Sequence, residues 1–211
     1  MKGTAKKQNI LENLEKDIRD FFESEDKARE QALKLSREVT RCSARAIKKM
    51  HQENFEESKI LLEQAMSSIV TAKKILAKFP EILYAGFIHN AEKELIEGLV
   101  FYRIVKENSL FVPDFDVFDR ISYLHGLAEA MGELRRHILD RMRQDSTDNM
   151  EQFLSLMDEV YYFTSSFDYP DMITRGLRRS VDVLRAIVEK TRADITLVLQ
   201  QKKFEKKLAN R

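Results

Sequence analysis

The sequence predicts an all-α fold, a bundle of long helices, and three observations carry that expectation. Apolar residues recur at helical spacing along nearly the whole chain. Only 6 glycines and 3 prolines interrupt 211 residues, too few for the many turns of a β-sandwich or barrel. Hydrophobic residues make up 43% of the chain and charged residues 34%. That is enough apolar material for a core and enough polar surface for the outer faces of amphipathic helices. The length fits one domain, residues 1–211, with residues 1–9 and about 203–211 expected to fray.

Seven helices follow in order. The first covers Gln8 to Glu23. Ser24 is a plausible N-cap for the second, Asp26 to Gln52. The third runs from Asn54 to Lys78. Pro80 opens the fourth, which continues to Glu107, because proline fits a first helical turn. A loop, Asn108 to Pro113, follows, and Asp114 or Asp116 caps the fifth, which reaches Gln144. The sixth is Met150 to Ser166. Tyr169-Pro170-Asp171 starts the seventh, which extends to Lys207. Helices this long build a bundle or extend into an oligomer interface.

Charge and cysteine content narrow the function classes. The net charge is +1, so nucleic-acid binding requires cations gathered on one face. No apolar run approaches the ~18 residues of a membrane span, and the basic, polar Met1 to Asn9 lacks the apolar stretch of a secretory signal. Cys42 is the single cysteine, which excludes an internal disulfide and a thiolate zinc site and fits a reducing cytoplasm.

One such cationic face is visible. Lys34, Arg37, Arg41, Arg45 and Lys48 fall within one ~80° arc of the second helix. Leu35, Val39, Cys42, Ala46 and Met50 occupy another arc. The row is ~21 Å long and contains no acid, although Glu38 lies at its margin. It reads either as a grip for a phosphate backbone or as an ordinary solvated face. Arg175, Arg178, Arg179 and Arg185 on the seventh helix are diluted by Asp182 and Glu189.

On the fourth helix Phe87, Ala91, Glu94, Gly98, Phe101 and Val105 form a bundle seam. A carboxylate there needs a cation, a proton or a wet cavity. The small Ala91 and Gly98 leave room, and Glu97 lies one turn on. Glu129 and Glu133 form a similar pair on the fifth helix, beside Ser122, His125, Gly126 and Arg136. Antiparallel packing across the short loop would bring the two pairs together. Four carboxylates suit a hard cation such as Mg²⁺ or Mn²⁺, which activates water against a phosphodiester. Acid pairs are also frequent on plain solvated faces. His51, His89, His125 and His137 do not cluster in sequence and read as surface or capping residues. Tyr161-Tyr162-Phe163 reads as core with one exposed edge, or as a subunit contact.

Several segments resemble the translin family, and within it the branch of translin-associated factor X. Lys34-Leu-Ser-Arg-Glu-Val-Thr40 with Arg45, Ile47 and His51 resembles its second-helix region. Lys78-Phe-Pro80 and Glu94-Leu-Ile-Glu97-Gly-Leu-Val-Phe101 resemble its fourth helix, and Tyr123 to Leu134 its fifth. The similarity covers nearly the whole chain after Ile10.

The resemblance implies a seven-helix bundle assembling into an octameric barrel around nucleic acid. The translin branch binds RNA and single-stranded DNA without catalysis. The other branch holds a Mg²⁺-dependent endoribonuclease site, whose acids fall on Glu94, Glu97, Glu129 and Glu133. An aspartate stands in that branch where this chain has Glu129, and its long insertion between the fourth and fifth helices is absent here. The chain thus resembles a compact, prokaryotic-type member that assembles with itself. The expected function is a cytoplasmic metal-dependent endoribonuclease. Lys34, Arg37, Arg41, Arg45 and Lys48 would grip phosphates, and Arg136 would stabilise transition-state charge. The alternative is a non-catalytic oligomer binding RNA or single-stranded DNA.

Overall fold

The computed structural model describes residues 2–209, with side chains from Ile10 onward. Met1, Asn210 and Arg211, part of the tails expected to fray, lie outside the described residues. The described residues form eight helices and no strand: α1 (Lys2–His51), α2 (Phe55–Leu76), α3 (Pro80–Leu83), α4 (Gly86–Glu107), α5 (Arg120–Arg143), α6 (Met150–Ser165), α7 (Asp171–Thr174) and α8 (Leu177–Ala209). The Lys-rich end is helical through Ala209.

The helices form two up-down-up units, α1-α2-α4 and α5-α6-α8, joined where α4 packs on α5. In the first unit α2 runs against α1, with Lys49 pairing with Glu57 and Cys42 facing Gln64. In the second, α6 runs against α8, with Asp158 pairing with Arg192. One apolar core runs through both, from Ala28 to Ile195. No described helix is long and apolar enough to cross a membrane.

Several expectations change. The first and second predicted helices are one 50-residue helix. Ser24 does not cap; its hydroxyl donates to the Phe21 carbonyl at 2.8 Å, a bond compatible with an unbroken helix. The fourth predicted helix divides, because Ala85 is extended (ψ 149°) between α3 and α4. The seventh divides at Arg175 and Gly176, whose positive φ values of 51° and 81° cannot continue a right-handed helix. The cap of α5 is Asp119, whose carboxylate accepts from the Ser122 N–H at 3.0 Å, while Asp114 accepts from the Asp116 N–H inside the loop.

The most consequential difference is direction. α4 and α5 pack parallel, as the pairs His89–Ser122, Lys93–Glu129 and Phe101–His137 show by advancing together along both helices. The connection from Asn108 to Asp119 therefore runs back along α4. Lys73 and Glu92 pin its end, through the Val117 carbonyl and the Asp119 N–H.

Candidate metal centre

Three carboxylates meet at the α4–α5 contact, and the backbone arranges the meeting. A Cβ at Gly126 would lie 2.7 Å from the Lys93 carbonyl and 2.8 Å from Ile96, so glycine is what lets the helices approach this closely. Glu129 lies one turn further along α5. Glu94 and Glu97 lie one turn apart on α4, on the faces that meet it. One carboxylate oxygen each from Glu94, Glu97 and Glu129 lies within 4.8 Å of the others. Gly98 leaves no room of its own: α2 fills that space, with Leu62 2.8 Å from where a Cβ would sit.

The electrostatics are those of an under-compensated site. Burial raises the Glu97 pKa to about 8, and the charges of Glu94, Glu129 and Glu133 add to it. Burial raises Glu94 as well, reinforced by Glu129. Lys93, which donates to Glu129 at 2.8 Å, opposes both shifts. The donors are all carboxylate oxygens, the set that suits a hard divalent cation. A cation of charge two would offset the burial and the repulsion that together raise the Glu97 pKa.

Glu133 stands beside this trio in a different state. Its Oε2 lies 2.5 Å from His51 Nε2 at the end of α1. That hydrogen bond holds its pKa below the usual carboxylate range, with help from the His51 and Arg136 charges. A carboxylate only accepts, so Nε2 carries the hydrogen. The His51 ring is 6% exposed, packs 5.0 Å from Phe101, and leaves Nδ1 without a hydrogen bond, 3.9 Å from an Asp140 oxygen. The histidines are thus not surface groups. His51 and His125 are buried or nearly so, and His89 meets His125 edge-on at 5.7 Å. Arg136 is exposed, 3.9 Å from Glu133.

The basic row lies on the outside of α1: Lys34, Arg37, Arg41, Arg45 and Lys48 are all exposed. Arg41 is ion-paired with Glu38. Arg37 and Arg41 edge a groove shared with Phe87, Asn90 and Ala91 of α4. Asn90 also lines a cleft of about 880 Å³ beside the carboxylates, so the cationic face leads toward the acidic centre. Of the aromatic run, Tyr162 and Phe163 are exposed, 69% and 46%, so most of it lies outside the core.

Sequence reading identified the carboxylates but not the groups that set their charge. Lys93 and His51 act on partners 36 and 82 positions away. The available signal was modest: Lys93 adjoins Glu94, and His51 closes the helix that carries the basic row.

A parallel α4–α5 contact carrying a carboxylate cluster between two three-helix units defines the class: an all-helical bundle with a half-buried acidic centre at its internal seam. No family model matches the chain. An uncharacterized protein of Methanocaldococcus jannaschii is 36% identical over 194 residues, covering 89% of this chain and 84% of that protein. C3PO of Archaeoglobus fulgidus is similar in two solved structures, one of them a complex with duplex RNA. Each has a TM-score of 0.82 and 29% identity over 88% of this chain and 96–97% of the other. C3PO from Neurospora shares the fold, with a TM-score of 0.72 and 19% identity over 89% of this chain and 96% of the other. The chain belongs to the translin-like family.

Proposed function

We propose that the chain is an RNA-binding, self-assembling protein that cleaves RNA with a divalent cation, Mg²⁺ or Mn²⁺, held by Glu94, Glu97, Glu129 and Glu133. The observation that carries the reading is the convergence of Glu94, Glu97 and Glu129 within 4.8 Å, with a single lysine against their combined charge. Bound there, such a cation lowers the pKa of water and neutralises charge on a phosphodiester. The chain's own residues do the rest. Glu133, kept ionised by His51, is a ligand that needs no proton removed. Glu97 would release its proton to solvent to serve as a ligand of such a cation. Lys34, Arg37, Arg41, Arg45 and Lys48 hold the strand by its phosphates, so binding is largely sequence-independent and weakens with salt. Arg136, exposed beside Glu133, is placed to meet charge developing on the phosphate. The duplex RNA bound by the Archaeoglobus protein supports an RNA ligand; single-stranded DNA offers the same backbone chemistry.

Self-assembly is supported by the N-terminal half of α1. Ile10, Leu11, Leu14, Ile18, Phe21 and Phe22 are 50–67% exposed, and from Ile10 onward the first buried residue of that helix is Ala28. An apolar stripe on a projecting helix calls for a partner surface. A homo-octamer, as the family resemblance implies, would supply it, in the cytoplasm.

The test is a cleavage time course on a short 5′-labelled RNA with Mg²⁺, with Mn²⁺ and with EDTA, beside a Glu129→Gln variant. The expected outcome is metal-dependent fragments from the wild type and at least ~100-fold slower cleavage by the variant, the scale on which a metal centre contributes. A second reading, binding without cleavage, is favoured by one observation: Lys93 already gives Glu129 a counter-charge. Retarded but intact RNA in every lane would establish that reading and remove the nuclease.

A further inference from the structure

The cleft beside the acidic centre has walls of opposite sign. Glu97 and Glu129 line one side, and Arg175, Arg179 and Ser180 at the α7–α8 corner line the other. Its volume, about 880 Å³, lies within the ~300–1,000 Å³ of ordinary ligand sites. Asp171 on the rim is the acid of the basic side.

The basic side is built rather than incidental. His125, on α5 one turn before Glu129, fixes the corner at two points: its Nε2 lies 3.0 Å from the Thr174 carbonyl and its Nδ1 2.9 Å from the Ser180 hydroxyl. The carbonyl only accepts, so Nε2 carries the hydrogen and the Ser180 hydroxyl donates to Nδ1. Between those points Arg175 holds a left-handed backbone, φ 51° and ψ 39°, a conformation that any residue with a Cβ adopts only at a cost. The neighbouring arginines are spent on partners, Arg178 on Asp168 and Arg185 on Asp182. Among the described residues Arg175 and Arg179 form no close ion pair, although the Arg175 charge reaches Asp119, and both line the cleft.

We infer that this cleft is a phosphate subsite of the RNA strand, in which Arg175 and Arg179 bind the phosphate next to the one that reaches Glu94, Glu97 and Glu129. The inference rests on the RNA-binding reading above. The basic wall attracts a phosphate, whereas the acidic wall would accept one only through a bound cation, so a strand in the cleft is held first at Arg175 and Arg179. Arg175 and Arg179 are positioning residues for the nucleotide beside the bond to be cut, and the strain at Arg175 is held by the His125 bonds.

The experiment is fluorescence anisotropy of a short labelled RNA across a KCl series, in EDTA so that no cleavage competes. The variants are Arg175→Ala/Arg179→Ala, Arg175→Lys/Arg179→Lys, Arg179→Glu alone, and Arg37→Ala/Arg41→Ala, each checked by thermal melting. The double alanine variant is expected to bind about tenfold more weakly. Its slope of log K against log salt should shrink by about 1.4, two contacts at ~0.7 each. The lysine pair should restore the slope, and Arg179→Glu, which leaves the strained position untouched, should weaken binding further than alanine. Wild-type affinity and slope in the double alanine variant, with loss in Arg37→Ala/Arg41→Ala, would overturn the subsite and leave RNA binding intact. Absence of salt-dependent binding by the wild type would remove both.

Discussion

Glu92 and Glu97 lie on the same helix, five positions apart, and both are withdrawn from water, yet their surroundings differ in kind. The Glu92 side chain is 2% exposed, and its Oε1 accepts from Lys73 Nζ at 2.5 Å and from the Asp119 N–H at 2.9 Å. Lys73 also donates to the Val117 carbonyl at 2.5 Å, so the pair ties α2, α4 and the returning loop together. Glu97 instead faces Glu94, Glu129 and Glu133; Lys93 offsets part of that charge, and His51 and Arg136 act on Glu133. A buried acid matched to its own cation is part of the architecture. A set of acids that outnumbers its cations keeps free energy in reserve for a charge from outside.

The largest expected effect tests the structural half of that contrast. Lys73→Met leaves Glu92 buried with its charge uncompensated and should cost about 3 kcal/mol in urea unfolding. A loss below about 1 kcal/mol would mean that the Asp119 N–H suffices and that the pair is not a tie. Glu97→Gln should behave oppositely in the metal-free protein, removing a repelled charge and leaving stability equal or higher at alkaline pH, while weakening Mg²⁺ binding by more than about tenfold, the loss that even supporting groups give.

The pH dependence sharpens the same comparison. The Glu97 pKa is raised from 4.5 to about 8 by folding, so between those values the folded state binds more protons than the unfolded one. Its contribution to stability is full below about pH 4.5 and is lost as pH rises through about 8. Metal-free wild type should therefore lose stability across that window relative to Glu97→Gln. Parallel denaturation curves of the two proteins at every pH would show that Glu97 is ionised throughout and that the centre is not under-compensated.

The two acids also show what was legible in the sequence. Glu94 and Glu97 stood out because a helix seam with a carboxylate in it is visible from spacing alone, and Gly126 and Glu129 share a face by the same arithmetic. Glu92, the most buried acid of the helix, carried no such mark. Its partner lies 19 positions upstream, and pairing at that range is a property of the packing. Helix continuity failed for a local reason. Ser24 offers a cap and also an internal bond, and its hydroxyl makes the internal one, to the Phe21 carbonyl. The parallel α4–α5 packing was hidden because a 12-residue connection, Asn108 to Asp119, is long enough to return along a helix, whereas a shorter loop would have forced the antiparallel arrangement.

The smallest expected effect concerns Lys93, the cation bonded to the carboxylate trio. Lys93 is 21% exposed in its side chain and bonded to Glu129, so an arriving divalent ion must share or displace that contact. Lys93→Gln removes the competing charge and keeps a hydrogen-bond donor of similar length. Measured by calorimetry above the pKa of Glu97, where protons no longer compete, Mg²⁺ affinity should rise by roughly three- to tenfold, the about 0.7–1.4 kcal/mol expected of a hydrogen-bonded ion pair that water still reaches. Lys93→Arg should leave it weak. If Lys93→Gln instead binds Mg²⁺ less tightly, Lys93 supports the carboxylate geometry the ion needs, and the centre is closer to Glu92 in kind than its crowding of charge suggests.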